Sequence, residues 1–162
     1  MKYRFLLGFQ CMLMQLSALT WSTPETISNT IKYAAEPMAG IDSSGKAYVI
    51  WRLPYQNDGN IRFAYESLLS IWTLPVSLFS GEGYASQAPS IDYNASGNLI
   101  VTSLFEEFAY DYSAVKALKY TSGSWGTPVT IADGTMPNSN ASAHLNSSSN
   151  ALVCWNCNPG ST

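Results

Sequence analysis

Three short apolar runs set the rhythm of this chain: Ala47-Tyr-Val-Ile-Trp51, Leu99-Ile-Val-Thr-Ser-Leu104 and Ala151-Leu-Val-Cys-Trp155. They are rich in β-branched and aromatic residues. Their apolar positions are consecutive rather than alternate, which suits strands covered on both faces. Gly, Asn and Ser residues bound each run and favour turns. No segment after residue 20 carries a helical period. The pattern predicts an all-β chain beyond that point.

The runs belong to a repeat. Pro37-Met-Ala-Gly-Ile-Asp42-Ser-Ser-Gly45 leads into the first run and aligns without a gap on Pro89-Ser-Ile-Asp-Tyr-Asn94-Ala-Ser-Gly97 before the second. The third copy, Ala141-Ser-Ala-His-Leu-Asn146-Ser-Ser-Ser149, departs by replacing the proline and the glycine. A Trp-x-x-Pro cassette recurs at Trp21 to Pro24, Trp72 to Pro75 and Trp125 to Pro128, in steps of 51 and 53 residues. A period of about 50 residues marks a repeat array and fits propeller blades.

Four strands are predicted per repeat. The first is Pro37 to Ile41, or Pro89 to Tyr93. An Asp/Asn-x-Ser-Gly turn follows, in which Gly45 and Gly97 take positive φ while Asp42 and Asn94 bond nearby backbone. The second strand is the apolar run. The third is Ile61 to Tyr65, or Val115 to Tyr120, and the fourth holds the cassette and ends at Ile27, Leu78 or Ile131. The cassette proline cannot donate to a ladder, which places this strand on a sheet edge.

The expected fold is a partial β-propeller of about two and a half four-stranded antiparallel blades after an N-terminal signal helix. Within the repeat region 21–162, residues 21–27 form a closing strand, 37–80 and 89–132 form blades, and 141–156 form an incomplete one. In a closed ring the opening strand pairs with the incomplete blade. Ordinary rings have at least about four blades. The chain therefore reads as a truncated member of a longer family, with exposed blade edges that favour self-association.

Residues 1–20 have the order of a secretory signal peptide: basic Lys2 and Arg4, apolar Phe5 to Leu19, then small Ser17 and Ala18 near the end. The apolar stretch of 15 residues falls short of the ~20 needed to cross a bilayer. The expectation is an exported protein (periplasmic, outer-surface or secreted) with no membrane span after cleavage. Beyond residue 20, six basic and 11 acidic side chains leave a net charge of −5, which argues against nucleic acid and anionic lipid as partners. Charged residues make up only 12% of the chain, against about 25% in ordinary soluble domains. Ser, Thr, Asn, Gly and Tyr supply the polarity, as in exported β-proteins with many tight turns.

The repeat resembles the blades of exported bacterial β-propeller proteins, themselves distantly sialidase-like, over residues 21–156. The first copy carries the likeness best, through Pro37, Asp42, Gly45, Trp51, Trp72 and Pro75. The resemblance implies a fold, and fold does not imply function. Sialidase chemistry needs a three-arginine clamp, yet only Arg52 and Arg62 lie beyond residue 20. Asp42 and Gly45 are three apart, where the sialidase turn has its Asp and Gly two apart. Sialidase-type catalysis is disfavoured, and no enzyme is expected.

Glu106, Glu107 and Asp111 form an acidic cluster that suits Ca²⁺, a glycosidase carboxylate pair or a solvated loop. The corresponding loop of the first repeat, Pro54 to Gly59, lacks the cluster, which favours the last. Cys154 and Cys157 have CxxC spacing, but inside a strand rather than at the helix N-terminus of a redox site. A local disulfide stays open, as do free thiols with Cys154 a small core residue. Two cysteines and His144 are too few for zinc, so no metal or cofactor is expected and His144 reads as a surface or rim residue. Repetition of Trp21, Trp72 and Trp125 points to packing between blades. Stacking on a sugar ring is the alternative, with Trp51, Arg52, Tyr55 and Tyr110 as the ligand-binding candidates and Tyr84 and Tyr112 in nearby loops.

The leading functional reading is a non-catalytic exported repeat protein, a binding or surface-interaction scaffold for a glycan or a cell-surface protein. The alternative is a remnant of a propeller glycoside hydrolase, or a lectin-like carbohydrate-binding domain.

Overall fold

The computed structural model describes residues 25–28, 34–54, 61–67, 71–106, 113–134 and 138–157. The signal segment 1–20 and the first Trp-x-x-Pro cassette lie outside the described residues. Every regular element among them is a strand, and every pairing is antiparallel.

The first sheet is a meander of β1 (Ala35–Ile41), β2 (Ala47–Arg52), β3 (Ile61–Tyr65) and β4 (Val76–Leu78), neighbours in chain order. The second contains β5 (Tyr84–Ala85), β6 (Ser90–Tyr93), β7 (Leu99–Glu106), β8 (Ser113–Thr121), β9 (Ser124–Trp125) and β10 (Val129–Gly134). β5 and β6 share one edge of β7, while β9 and β10 share the far edge of β8, so this sheet is again four strands wide. β11 (Asn138–Leu145) and β12 (Ala151–Cys157) form a separate hairpin.

The cassettes close the link between third and fourth strands. Trp72 bridges to Glu66, and the next N–H, of Thr73, donates to the Tyr65 carbonyl at 2.9 Å. Trp125 pairs with Tyr120, and the Gly126 N–H donates to the Lys119 carbonyl at 2.9 Å. Pro75 and Pro128 then precede edge strands, where a missing N–H leaves no ladder bond unmade. After the Trp125 cassette the register shifts between Thr130 and Ala132. Ile131 is the extra residue of this bulge and is 40% exposed, whereas Leu78 is 2% exposed. The bulge overturns the expected equivalence of the two: Ala132, not Ile131, holds the place of Leu78.

The sheets stack face to face. Tyr48, Ile50 and Phe63 of the first pack on Leu99, Val101, Phe105 and Leu118 of the second, with Trp125 edge-on to Phe63 at 5.0 Å. The other face of the second sheet, at Ile100 and Ala117, packs on Ala143, Leu145 and Val153 of the hairpin. β7 is therefore buried on both faces along all but its last residue, as its consecutive apolar run requires. Ile27 lies against the opposite face of the first sheet, beside Trp51, Leu53 and Ala64. The segment 25–28 thus covers the first sheet and does not pair with the hairpin.

One turn joins first and second strands in all three repeats. The N–H groups of Gly45, Gly97 and Ser149 each donate to the carbonyl three residues back, at 3.0 Å. Asp42, Asn94 and Asn146 accept backbone N–H bonds from the residue four further on, at 2.9–3.1 Å. Gly45 and Gly97 have φ of 85° and 73°, and Ser149 holds the same left-handed region at 63°. The β12 run is not a buried strand. Trp155 is 37% exposed, and Cys154 is exposed rather than a core residue, because no further layer covers that face among the described residues.

Candidate functional site

The first strand of each sheet is interrupted at one repeat position. β1 shifts register between Ala35 and Met38, and Glu36 has φ 53°. β11 shifts between Ser139 and Ser142, and Asn140 has φ 51°. Glu36, Ala88 and Asn140 stand 52 residues apart. At Ala88 and Pro89 the irregularity separates β5 from β6. Proline lacks the N–H a ladder needs, and an extra residue re-aims its neighbours. Left-handed backbone at a non-glycine residue costs about 1–3 kcal/mol and gathers at binding sites.

The three interruptions meet in a groove of about 560 Å³, lined chiefly by Glu36, Met38, Ser86, Gln87, Ser90 and Asn140. Small-molecule sites run to roughly 300–1,000 Å³. Gln87 braces the groove: its Oε1 accepts the Asn140 N–H at 2.8 Å, and its carbonyl accepts the Ser103 hydroxyl at 3.1 Å. Ser90 Oγ accepts the Ala143 N–H at 3.3 Å. Ser86 Oγ is buried without a hydrogen-bond partner, a state that costs about 1–3 kcal/mol.

Glu36 is neutralised by Arg52. Nε and Nη2 donate to its two carboxylate oxygens at 2.6 and 3.0 Å, and Nη1 donates to the Ala85 carbonyl at 3.1 Å. Burial would lower the Arg52 pKa, but the Glu36 carboxylate outweighs it and keeps the guanidinium charged. The groove therefore offers neutral hydroxyls and amides, with the Glu36 carboxylate already satisfied by Arg52. Among the described residues, its lining brings together no opposed pair of carboxyl groups. Among the described residues no three His, Cys, Asp or Glu side chains converge as a metal site would require.

The residues singled out in the sequence are scattered. Trp51 is 4% exposed and packs with Leu53 and Ala64, so its ring is no stacking platform. Arg52 follows it in β2 and points to the opposite face, as strand geometry demands, so the pair cannot share one ligand. Arg52 does flank the groove through Glu36. Tyr55 and Tyr110 lie outside the described residues, as do Glu107, Asp111 and Tyr112. Cys154 and Cys157 are free and exposed. Three steps apart in a strand, their Cα atoms are separated by about 10 Å, beyond the ~7 Å a disulfide spans. The local disulfide is thus absent. His144 is exposed, with Nδ1 3.8 Å from Asp92 Oδ2.

Sequence reasoning missed Ser86, Gln87 and Asn140. The available signal was the residue before the repeat proline, where Glu36, Ala88 and Asn140 align. Compared with known protein families and curated proteins, the chain matches none.

Proposed function

We propose that this chain is a non-catalytic, exported β-propeller repeat module that binds an uncharged polar ligand, a glycan in the first instance, in the groove between its first strands. The carrying observation is that the three repeats place their backbone irregularities together, around neutral polar side chains and a buried, unpartnered Ser86 hydroxyl. Hydroxyls and amides on a concave, mostly preformed surface suit sugar hydroxyls. β1 lies beside β6, and β6 beside β11, which supports reading the sheets as blades radiating from a common axis. The basic, apolar, small-residue order of positions 1–20 supports export.

A glycan array probed with the purified chain tests the reading. The expected result is retention on one glycan class, lost in Gln87→Ala, which removes the brace on Asn140. Turnover of chromogenic glycosides would overturn the non-catalytic assignment and favour the hydrolase-remnant alternative. Absence of binding across neutral glycans would overturn the choice of ligand.

A further inference from the structure

We propose that copies of this chain associate head to tail, the outer face of the β11–β12 hairpin of one copy packing on the outer face of the first sheet of the next. The proposal rests on the reading of the sheets as layers of one repeating array, and it names the partner that continues the array.

The internal interfaces share one pattern. Tyr48 of the first sheet stacks on Tyr93 of the second, with ring centroids 6.4 Å apart. Ile100 of the second sheet shares a cluster with Leu145 of the hairpin. Tyr48, Ile100 and Leu152 are equivalent at a step of 52 residues, as are Ile41, Tyr93 and Leu145. Among the described residues, Leu152 and Ile41 are thus the two members without such a partner, one on each outer face. They are 61% and 62% exposed, while Tyr48 and Ile100 are 2% exposed. Placing Leu152 of one copy on Ile41 of the next repeats the contact made twice within the chain.

The polar pattern continues in the same register. Ser90 Oγ and Asp92 Oδ2 accept the N–H groups of Ala143 and Leu145 at 3.3 and 2.7 Å. Ser142 and His144 stand one repeat further on in β11, where they alternate with the buried Ala143 and Leu145. There they meet the N–H groups of Ala39 and Ile41 in the next copy.

The extents also fit. The hairpin supplies only first and second strands. Ile27 already covers the first sheet around Trp51, Leu53 and Ala64, leaving Ala39 and Ile41 open. Residues 138–157 carry no ionisable side chain except His144 and two thiols, so no fixed charge opposes an apolar approach. The faces are complementary rather than identical, which makes the contact heterologous, closing into a ring or continuing as a filament.

Sedimentation velocity under reducing conditions tests this with the purified chain. The wild type is expected to associate as its concentration rises. Leu152→Glu and Ile41→Glu are each expected to be monomeric, with unchanged circular dichroism because both side chains are exposed. A 1:1 mixture of the two variants is expected to form dimers, since each supplies the face the other lacks. Glutamine replaces glutamate in either variant that loses its fold. A wild type that stays monomeric at high micromolar concentration overturns the proposal. So does association that survives either substitution, or a variant mixture that remains monomeric. A monomer that still binds a glycan leaves the proposed binding function standing, whereas an associating chain that binds none leaves only the assembly.

Discussion

Asn94 joins two successive turns: its Nδ2 donates to the Asn146 carbonyl oxygen, 52 residues away, at 3.0 Å. The same nitrogen reaches Ser149 Oγ at 3.0 Å, while Asn94 Oδ1 accepts the N–H groups of Ser96 and Asn98 in its own turn. One side chain therefore shapes a turn and docks it on the next repeat. Asn94→Asp keeps the acceptor and removes the donor, setting a buried carboxylate against a carbonyl. We expect a loss of about 1–3 kcal/mol in urea unfolding. A change within about 0.5 kcal/mol, the range of neutral surface substitutions, would mean that the two turns are not docked.

Ser149 stands where the other repeats have glycine and keeps the left-handed backbone at φ 63°. Its hydroxyl offsets the strain by accepting from Asn94 Nδ2 at 3.0 Å and Asn98 Nδ2 at 2.7 Å. Ser149→Ala retains the strain and loses both bonds, for an expected cost of about 1–2 kcal/mol. Ser149→Gly loses the bonds but relieves the strain, and should unfold later than the alanine variant by roughly 0.5–1 kcal/mol. Thermal melts of the three proteins check that order. An alanine variant as stable as the wild type contradicts it.

The strands and their turns were legible because their causes are local. Consecutive apolar runs, a Gly or Asn at a fixed offset and an edge proline are written within a few residues of one another. The bulges were not legible. Glu36 and Asn140 hold left-handed backbone because of partners 52 or more residues away or across the sheet, such as Gln87 on the Asn140 N–H and Arg52 on Glu36. Ile131 does not hold the place of Leu78 for the same kind of reason, a register shift that no side-chain pattern announces. Trp51 and Trp155 align in sequence, but one is 4% and the other 37% exposed. The difference lies in which layer covers each sheet face. Repetition reports the position within a layer and is silent on the neighbouring layer.

Gly40 is required by the approach of Tyr93. A Cβ added there would overlap the Tyr93 ring at Cε1. Gly40→Ala is expected to cost about 1–3 kcal/mol through overpacking. Tyr93→Leu places at this position the residue type found at Leu145, and in the double variant it should recover at least about 0.5 kcal/mol of that loss. Strict additivity in the double-mutant cycle would show that the two residues do not touch.

Asp42 makes the first turn sensitive to acid. Burial pushes its carboxyl up, but bonds from the Ser44 and Tyr48 hydroxyls and the Lys46 and Ser44 N–H groups outweigh it and hold the pKa below the ordinary value. The resulting stabilisation is complete above the unfolded carboxyl's pKa of about 3.9 and is lost as pH falls through the lower folded value. Asp42→Asn supplies the residue that the other two repeats use. Its melting temperature should fall less than that of the wild type between about pH 4 and pH 2. Parallel pH profiles for the two proteins would remove Asp42 from the acid response.

Successive sheets stack in one constant register, and the approach of Gly40 to Tyr93 depends on that register. In a nuclear Overhauser spectrum of the isotopically labelled chain, strong cross-peaks are expected between the Gly40 α-protons and the Tyr93 ring protons. These residues lie on β1 and β6, which belong to different sheets and share no backbone pairing. Such cross-peaks can arise only if the first and second sheets face each other in this register. A folded chain with a dispersed spectrum, assigned resonances for both residues and no cross-peak between them would contradict the stack.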